Sequence, residues 1–234
     1  MRRTVIVVFV LASAWLTAFT ITSFATAPGA TGRDRETADE CGRIIVSPHE
    51  GPAFHSSSTR VLLALDEEWR DLLGARARES ARSLLADVSA LFRNTHIHLL
   101  PVELAEWESP GSTDQARDLL AFVEANVERG DADIVIALTG QALAGEDGLA
   151  RRNGRYVVVE HHPGRLDKDA LVLAHEVAHL FGAGHSCDLP GGNGLMSEDG
   201  FRGPTGVCPC TERVLEANAA RFHDLLSGAA EPSE

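Results

Sequence analysis

The stretch from Asp169 to His185 constrains this chain more than any other. From Asp169 to Phe181 the residues are nearly all apolar. A helix formed there has to run through the interior. His175 and His179 are four apart, so they stack on one helix face and can reach one ion. Gly182 follows where the helix must stop and the chain must turn, which a residue without a Cβ does at little cost. That turn brings His185 back toward the same ion. Three imidazoles with a fourth position left open are the ligand set of a catalytic zinc, whereas structural zinc sites are closed by four protein ligands. Glu176 cannot easily join those ligands, but it can lie over the open position, where a base for water is needed. The run His175-Glu176-Val177-Ala178-His179-Leu180-Phe181-Gly182-Ala183-Gly184-His185 meets HExxHxxGxxH at every specified position.

The remaining chain has to enclose this helix, and its patterning says how. Val61–Leu65, ending at Asp66, is a short apolar run of the kind that forms a buried strand. Residues 68–92 place Leu72, Leu73, Ala77, Ala81, Leu84, Leu85, Val88, Leu91 and Phe92 at helical spacing, which predicts one long amphipathic helix. Ile97–Val102 reads as a second strand, Asp114–Glu128 as a helix and Asp133–Leu138 as another buried strand. Gly148-Leu149-Ala150 fits a short edge strand and Tyr156–Glu160 a further one. Thr211 to Leu226 reads as a last helix with Thr211 as N-cap. Strands alternating with helices predict a layered α/β domain.

The extended histidine string resembles that of the metzincin zinc peptidases. Their second mark is a tight turn with a Met close to the metal. Here Gly191-Gly192-Asn193-Gly194-Leu195-Met196 supplies it, and the only other Met is Met1. Upstream, the strand at Val61–Asp66, the helix to Phe92, the segment Asp133–Gly140, Gly148–Ala150 and the last helix are similar to the adamalysin (reprolysin) arrangement over residues 60–226. Ser186 departs from it, because adamalysins carry Asp after the third His and matrixins carry Ser. The cysteines between His185 and Met196 are sparser than in adamalysins, and Cys187, Cys208 and Cys210 are spaced differently from those of archaemetzincins.

The resemblance implies a metzincin (zincin-like) α/β catalytic domain. Its sheet would be twisted and mostly parallel with an antiparallel edge strand, flanked by an active-site helix and a C-terminal helix. It implies one catalytic Zn2+ on His175, His179 and His185, with Glu176 as general base and Met196 in the Met-turn. Gly148, Leu149 and Ala150 would bind extended substrate by strand addition. Ser197 to Pro204 would wall the S1′ side. The activity implied is hydrolysis of peptide bonds by Glu-assisted attack of water at zinc, with no Ser, Cys or Thr nucleophile. Some metzincins have a Tyr ligand after the Met. The single Tyr156 precedes the helix, so none is expected. An extracellular zinc-containing binding protein without peptidase activity is the alternative, and the presence of Glu176 weighs against it.

Composition narrows the setting. The 234 residues suffice for one domain. The net charge is -13 and Lys and Arg are not clustered, so nucleic acid is excluded as a partner. The partner expected is a protein or peptide substrate, and the chain is expected to be a monomer. Arg2 and Arg3 precede an apolar run from Val5 to Phe24, so residues 1–27 read as a signal peptide or a signal anchor. A cleaved, secreted form and membrane attachment through residues 5–24 both place the rest outside the cytoplasm. Residues 28–59 read as a linker or N-terminal extension, 60–228 as the catalytic domain and 229–234 as a tail.

All four cysteines lie in the exported part. An oxidising compartment favours two disulfides. Cys208 and Cys210 are too close in sequence to bridge without strain. The pairing expected is Cys187 with one of them and Cys41 with the other, unless Cys41 is free. A cysteine-switch role for Cys41 is the weaker reading. A Ca2+ site could be supplied by Asp and Glu, but no converging set of six oxygens is visible. His96 and His98 would share a strand face, solvated or packed, and His161 and His162 read as loop residues.

Overall fold

The computed structural model describes residues 57–111, 113–185, 194–197 and 206–222. The segments assigned to the signal or anchor, to Cys41, Ser186 and Cys187, to the S1′ wall beyond Ser197, and to the tail lie outside them. Five strands form one sheet: β1 (Ser57–Leu65), β2 (Ile97–Glu106), β3 (Ile134–Thr139), β4 (Gly148–Ala150) and β5 (Tyr156–Glu160). Their order is β2-β1-β3-β5-β4. The first four strands pair in parallel, and β4 adds antiparallel to β5 at the edge. This is the mostly parallel sheet with an antiparallel edge strand that the sequence predicts.

Parallel strands are covered on both faces and therefore read as continuous apolar runs. β1 and β3 show how the two faces are shared. Val61, Leu63, Leu65, Ile134, Ile136 and Leu138 join one core, with Trp69, Leu84, Leu85, Leu173 and Val177. Leu62, Ala64, Val135 and Ala137 join the other, with Leu119, Leu120 and Val123. The first core is roofed by α2 (Ala77–Leu91) and α4 (Leu166–Leu180), the second by α3 (Ala116–Asn126). The result is a three-layer sandwich with α4 buried inside it. Among the described residues no helix is long and apolar enough to cross a membrane.

Four local expectations change. The long helix predicted over 68–92 is broken into α1 (Glu67–Leu73), a 3-10 turn and α2. Asp66 caps α1 by accepting the Trp69 amide at 2.7 Å, and Gly74 ends it at φ 55°. The apolar spacing hides the break because both pieces contribute to the same core. The last helix, α5 (Pro209–Asn218), starts earlier than predicted. Its N-cap is Cys208, whose sulfur accepts the Thr211 amide at 3.4 Å, and Pro209 takes the first helical position, where no N–H is needed. The linker or extension read over residues 28–59 gives way to strand at Ser57. His96 does not share a strand face with His98: it lies before β2 in a left-handed turn, φ 58°, within 3.6 Å of Glu216.

Candidate metal centre and cleft

α4 presents His175 and His179 one turn apart, and the chain leaves it as the sequence requires. Gly182 takes φ 89°, and the Ala183 amide reaches back to the Ala178 carbonyl at 3.1 Å. That closure returns the chain so that His185 faces the first two rings. The three Nε2 atoms stand 2.8 to 3.2 Å from one another. Two of the rings are fixed from behind by main chain. His175 Nδ1 donates to the Leu195 carbonyl at 2.7 Å and His179 Nδ1 to the Ala183 carbonyl at 2.9 Å. With the proton held on Nδ1, the Nε2 lone pair is left for a ligand.

Burial favours the neutral form of His175 and His179. Burial pushes His179 down to about 4, and the neighbouring His175, His185 and Arg152 push the same way against the Ala183 carbonyl. Burial also lowers His175, opposed by the Leu195 carbonyl. The three Nε2 atoms thus converge at a spacing that suits a cation between them. Zn–N bonds of about 2.0–2.1 Å in a tetrahedron place their nitrogens about 3.4 Å apart. The donor set fits zinc, and these three residues would hold it.

Leu195 belongs to the turn Gly194–Ser197, closed by the Ser197 amide on the Gly194 carbonyl at 3.0 Å. Leu195 N–H also bonds the Gly206 carbonyl at 2.9 Å. Met196 sits in this turn, 1% exposed, within the α2/α4 core. The turn therefore performs two tasks: its carbonyl orients His175 and its Met fills the floor. Cys208 and Cys210 are both disulfide-bonded, with partners outside the described residues. Tyr156 turns its hydroxyl to the Val127 carbonyl at 3.3 Å.

Glu176 faces a cleft of about 520 Å³ lined also by Gly148, Leu149, Ala150, Val172 and the three histidines. Burial pushes its carboxyl up to about 8, and the Glu146 charge adds to this while the Ala150 amide opposes it. A cation on the histidines would favour the ionised form.

The cleft's other wall is β4. Glu160 N–H bonds the Asp147 carbonyl at 2.9 Å, and the register pairs Leu149 with Val158. In an antiparallel ladder bonded and non-bonded pairs alternate. Gly148 and Ala150 therefore turn their main-chain groups away from β5, toward the open edge. Gly148 is there because β4 packs hard on α4: a Cβ would lie 2.9 Å from Val172 Cγ1 and 3.2 Å from Glu176 Cγ.

Sequence reading missed a second polar cluster on the same helix. Asp169 is fully buried in the first turn of α4. It accepts His161 Nδ1 at 2.6 Å, His162 Nδ1 at 2.8 Å and the His162 amide at 3.0 Å. Lys168 Nζ lies 2.9 Å from both His162 Nε2 and Asp147 Oδ2. So the histidines read as loop residues tie the end of β5 and the start of β4 to the metal helix. The only hint was an acidic residue amid an apolar helix. Arg152 also lines the cleft, as does Ser197, the first residue of the segment expected to wall the S1′ side.

Comparison with known proteins agrees with this geometry. The metallo-peptidase family M12 profile (Reprolysin_5) matches residues 55–220. An archaemetzincin from Methanopyrus kandleri superposes with a TM-score of 0.51 at 20% identity, covering 72% of this chain and 98% of its own. A chain from the structure of a chaperone–substrate complex gives 0.56 at 17% identity, over 73% of this chain and 36% of that one. Both share the fold. A 2-succinyl-5-enolpyruvyl-6-hydroxy-3-cyclohexene-1-carboxylate synthase of Chlorobaculum tepidum is 34% identical over 121 residues, 47% of this chain. This chain spans 21% of that relative's length. The family match covers most of the chain and includes every histidine of the triad, so the chain belongs to the M12 metallopeptidase family, with a metzincin-type fold.

Proposed function

We propose that the protein is an exported zinc endopeptidase. The observation that carries the reading is the convergence of three imidazoles, two of them oriented by main-chain carbonyls, beside a buried Glu176 and an open strand edge. When bound, zinc would acidify a water and polarise a scissile carbonyl. The chain's own residues do the rest. Gly148 and Ala150 offer main-chain groups to an extended peptide, which fixes its height over the cleft. Glu176 takes the proton from the attacking water and passes it to the leaving amine. Leu195 and Ala183 keep the imidazole tautomers in place. No nucleophilic side chain stands in the cleft, apart from the Ser197 hydroxyl, which has no base beside it among the described residues. An open edge strand has room for chain on both sides of the cut, which favours internal cleavage.

Export rests on the apolar segment 5–24 and on the cysteines, with Cys187 and Cys41 as the partners proposed for Cys208 and Cys210. A monomer acting on protein or peptide is proposed. The test is hydrolysis of a mixed peptide library by the purified chain with and without chelator. Internal cuts that vanish on chelation, return with Zn2+ and fall about 10²–10⁴-fold in Glu176→Ala are expected. A folded, zinc-loaded chain that cuts nothing would overturn the proposal.

A further inference from the structure

The two ends of β4 carry opposite charge. Strand alternation points even-numbered residues to one side and odd-numbered ones to the other. Gly148 faces α4, while Leu149 packs on the α3 core and Arg151 pairs with Glu124 of α3 at 3.0 Å. The alternation ends with the strand, since Asp147 turns to Lys168 and Arg152 lies in a turn, yet Glu146 before β4 and Arg152 after it both line the cleft.

Their neighbours leave both charges available. Asp147 is spent on Lys168 and His162. The hollow on the far side of Glu146 offers Arg117 and Asp118, one charge of each sign. Glu146 and Arg152 are exposed and form no ion pair among the described residues. The Arg152 loop is held against the metal helix, because the Asn153 amide bonds the His179 carbonyl at 2.9 Å. Glu146 and Arg152 thus stand two residues beyond either end of the three-residue strand Gly148–Ala150, one on each side of its midpoint.

A peptide added to the free edge of β4 pairs best in the antiparallel sense. Its N-terminal half then passes Arg152 and its C-terminal half passes Glu146, with the histidines and Glu176 between. We infer that Arg152 and Glu146 set substrate polarity: the site selects extended peptides with an acidic residue before the cut and a basic residue after it. The inference rests on the peptidase reading above.

The experiment uses two peptide series with the same neutral centre, one acid-first and base-last, the other reversed. Each is assayed with the wild-type chain and with the double variant Glu146→Lys/Arg152→Glu. The same peptides are titrated by fluorescence anisotropy into the zinc-loaded Glu176→Ala chain, with and without the two charge changes. Wild type should favour acid-first peptides about tenfold in kcat/KM, as expected of a few part-exposed ion pairs, and the double variant should reverse the ranking. Equal rates, or a ranking the variant does not change, would overturn the inference. If neither series is cut, the peptidase reading fails, and the anisotropy ranking and its reversal decide the charge inference by the same criterion.

Discussion

α4 carries two polar clusters, one buried around Asp169 and one opening on the cleft around His179, and they are built on opposite rules. Around Asp169, three donors meet one carboxylate, and Lys168 reaches the outer His162 nitrogen. Around His179, three Nε2 acceptors meet one another, and the nitrogens that could donate are already engaged in two of the rings. The first cluster is chemically complete and holds the helix to the sheet. The second gathers three ring nitrogens at a spacing that a cation would hold together. A polar network in low dielectric is stabilising when every member is satisfied and costly otherwise. The contrast therefore separates scaffold from site without reference to any relative.

The largest effect should come from breaking the complete cluster. Asp169→Ala strands the buried His161 donor and the half-buried His162 and should cost about 3–5 kcal/mol, the range for removing one partner of a buried pair. Urea unfolding of the metal-free chain reads this directly, and a loss under 1 kcal/mol would mean the network is not structural. The second cluster should respond to metal instead. Zn2+ at a hundredfold excess over its Kd should stabilise the fold by about 2.7 kcal/mol. His179→Ala should abolish that gain in a thermal-shift assay and His162→Ala should keep it. Equal responses from the two variants would erase the distinction.

Asp66 tests the same logic at a single carboxyl. Burial raises it to about 6 despite bonds from the Thr139 hydroxyl and the Trp69 and Gly140 amides. Its folded value thus exceeds the ordinary 3.8, so between pH 4 and 6 the folded chain binds more protons than the unfolded one. Stability from this group is complete below pH 4 and is lost as pH rises through 6, by about 3 kcal/mol. Asp66→Asn should flatten that slope in denaturant titrations run at each pH. An unchanged slope would assign the pH dependence elsewhere.

The metal ligands were legible because their spacing is a helical one followed by a glycine stop. The sheet was legible because parallel strands are apolar on both faces. The Asp169 cluster was not, since it joins residues from a loop, a helix and the approach to an edge strand, and no period links them. The break at Gly74 was hidden for the converse reason: apolar spacing runs straight across it. Arg152 and Glu146 could be placed only once β4 stood beside α4, because they lie outside the strand and no period ties them to the cleft.

One detail of the histidine clamps bears on how such a chain can drift. The groups that fix the tautomers of His175 and His179 are the carbonyls of Leu195 and Ala183, not side chains. Every amino acid brings the same carbonyl. Point changes at these two positions can alter packing yet leave the orientation of the metal ligands intact, provided the turns hold their path. The second layer of this site is thereby written in backbone shape, and only changes that redirect the chain, such as at Gly182, can erase it.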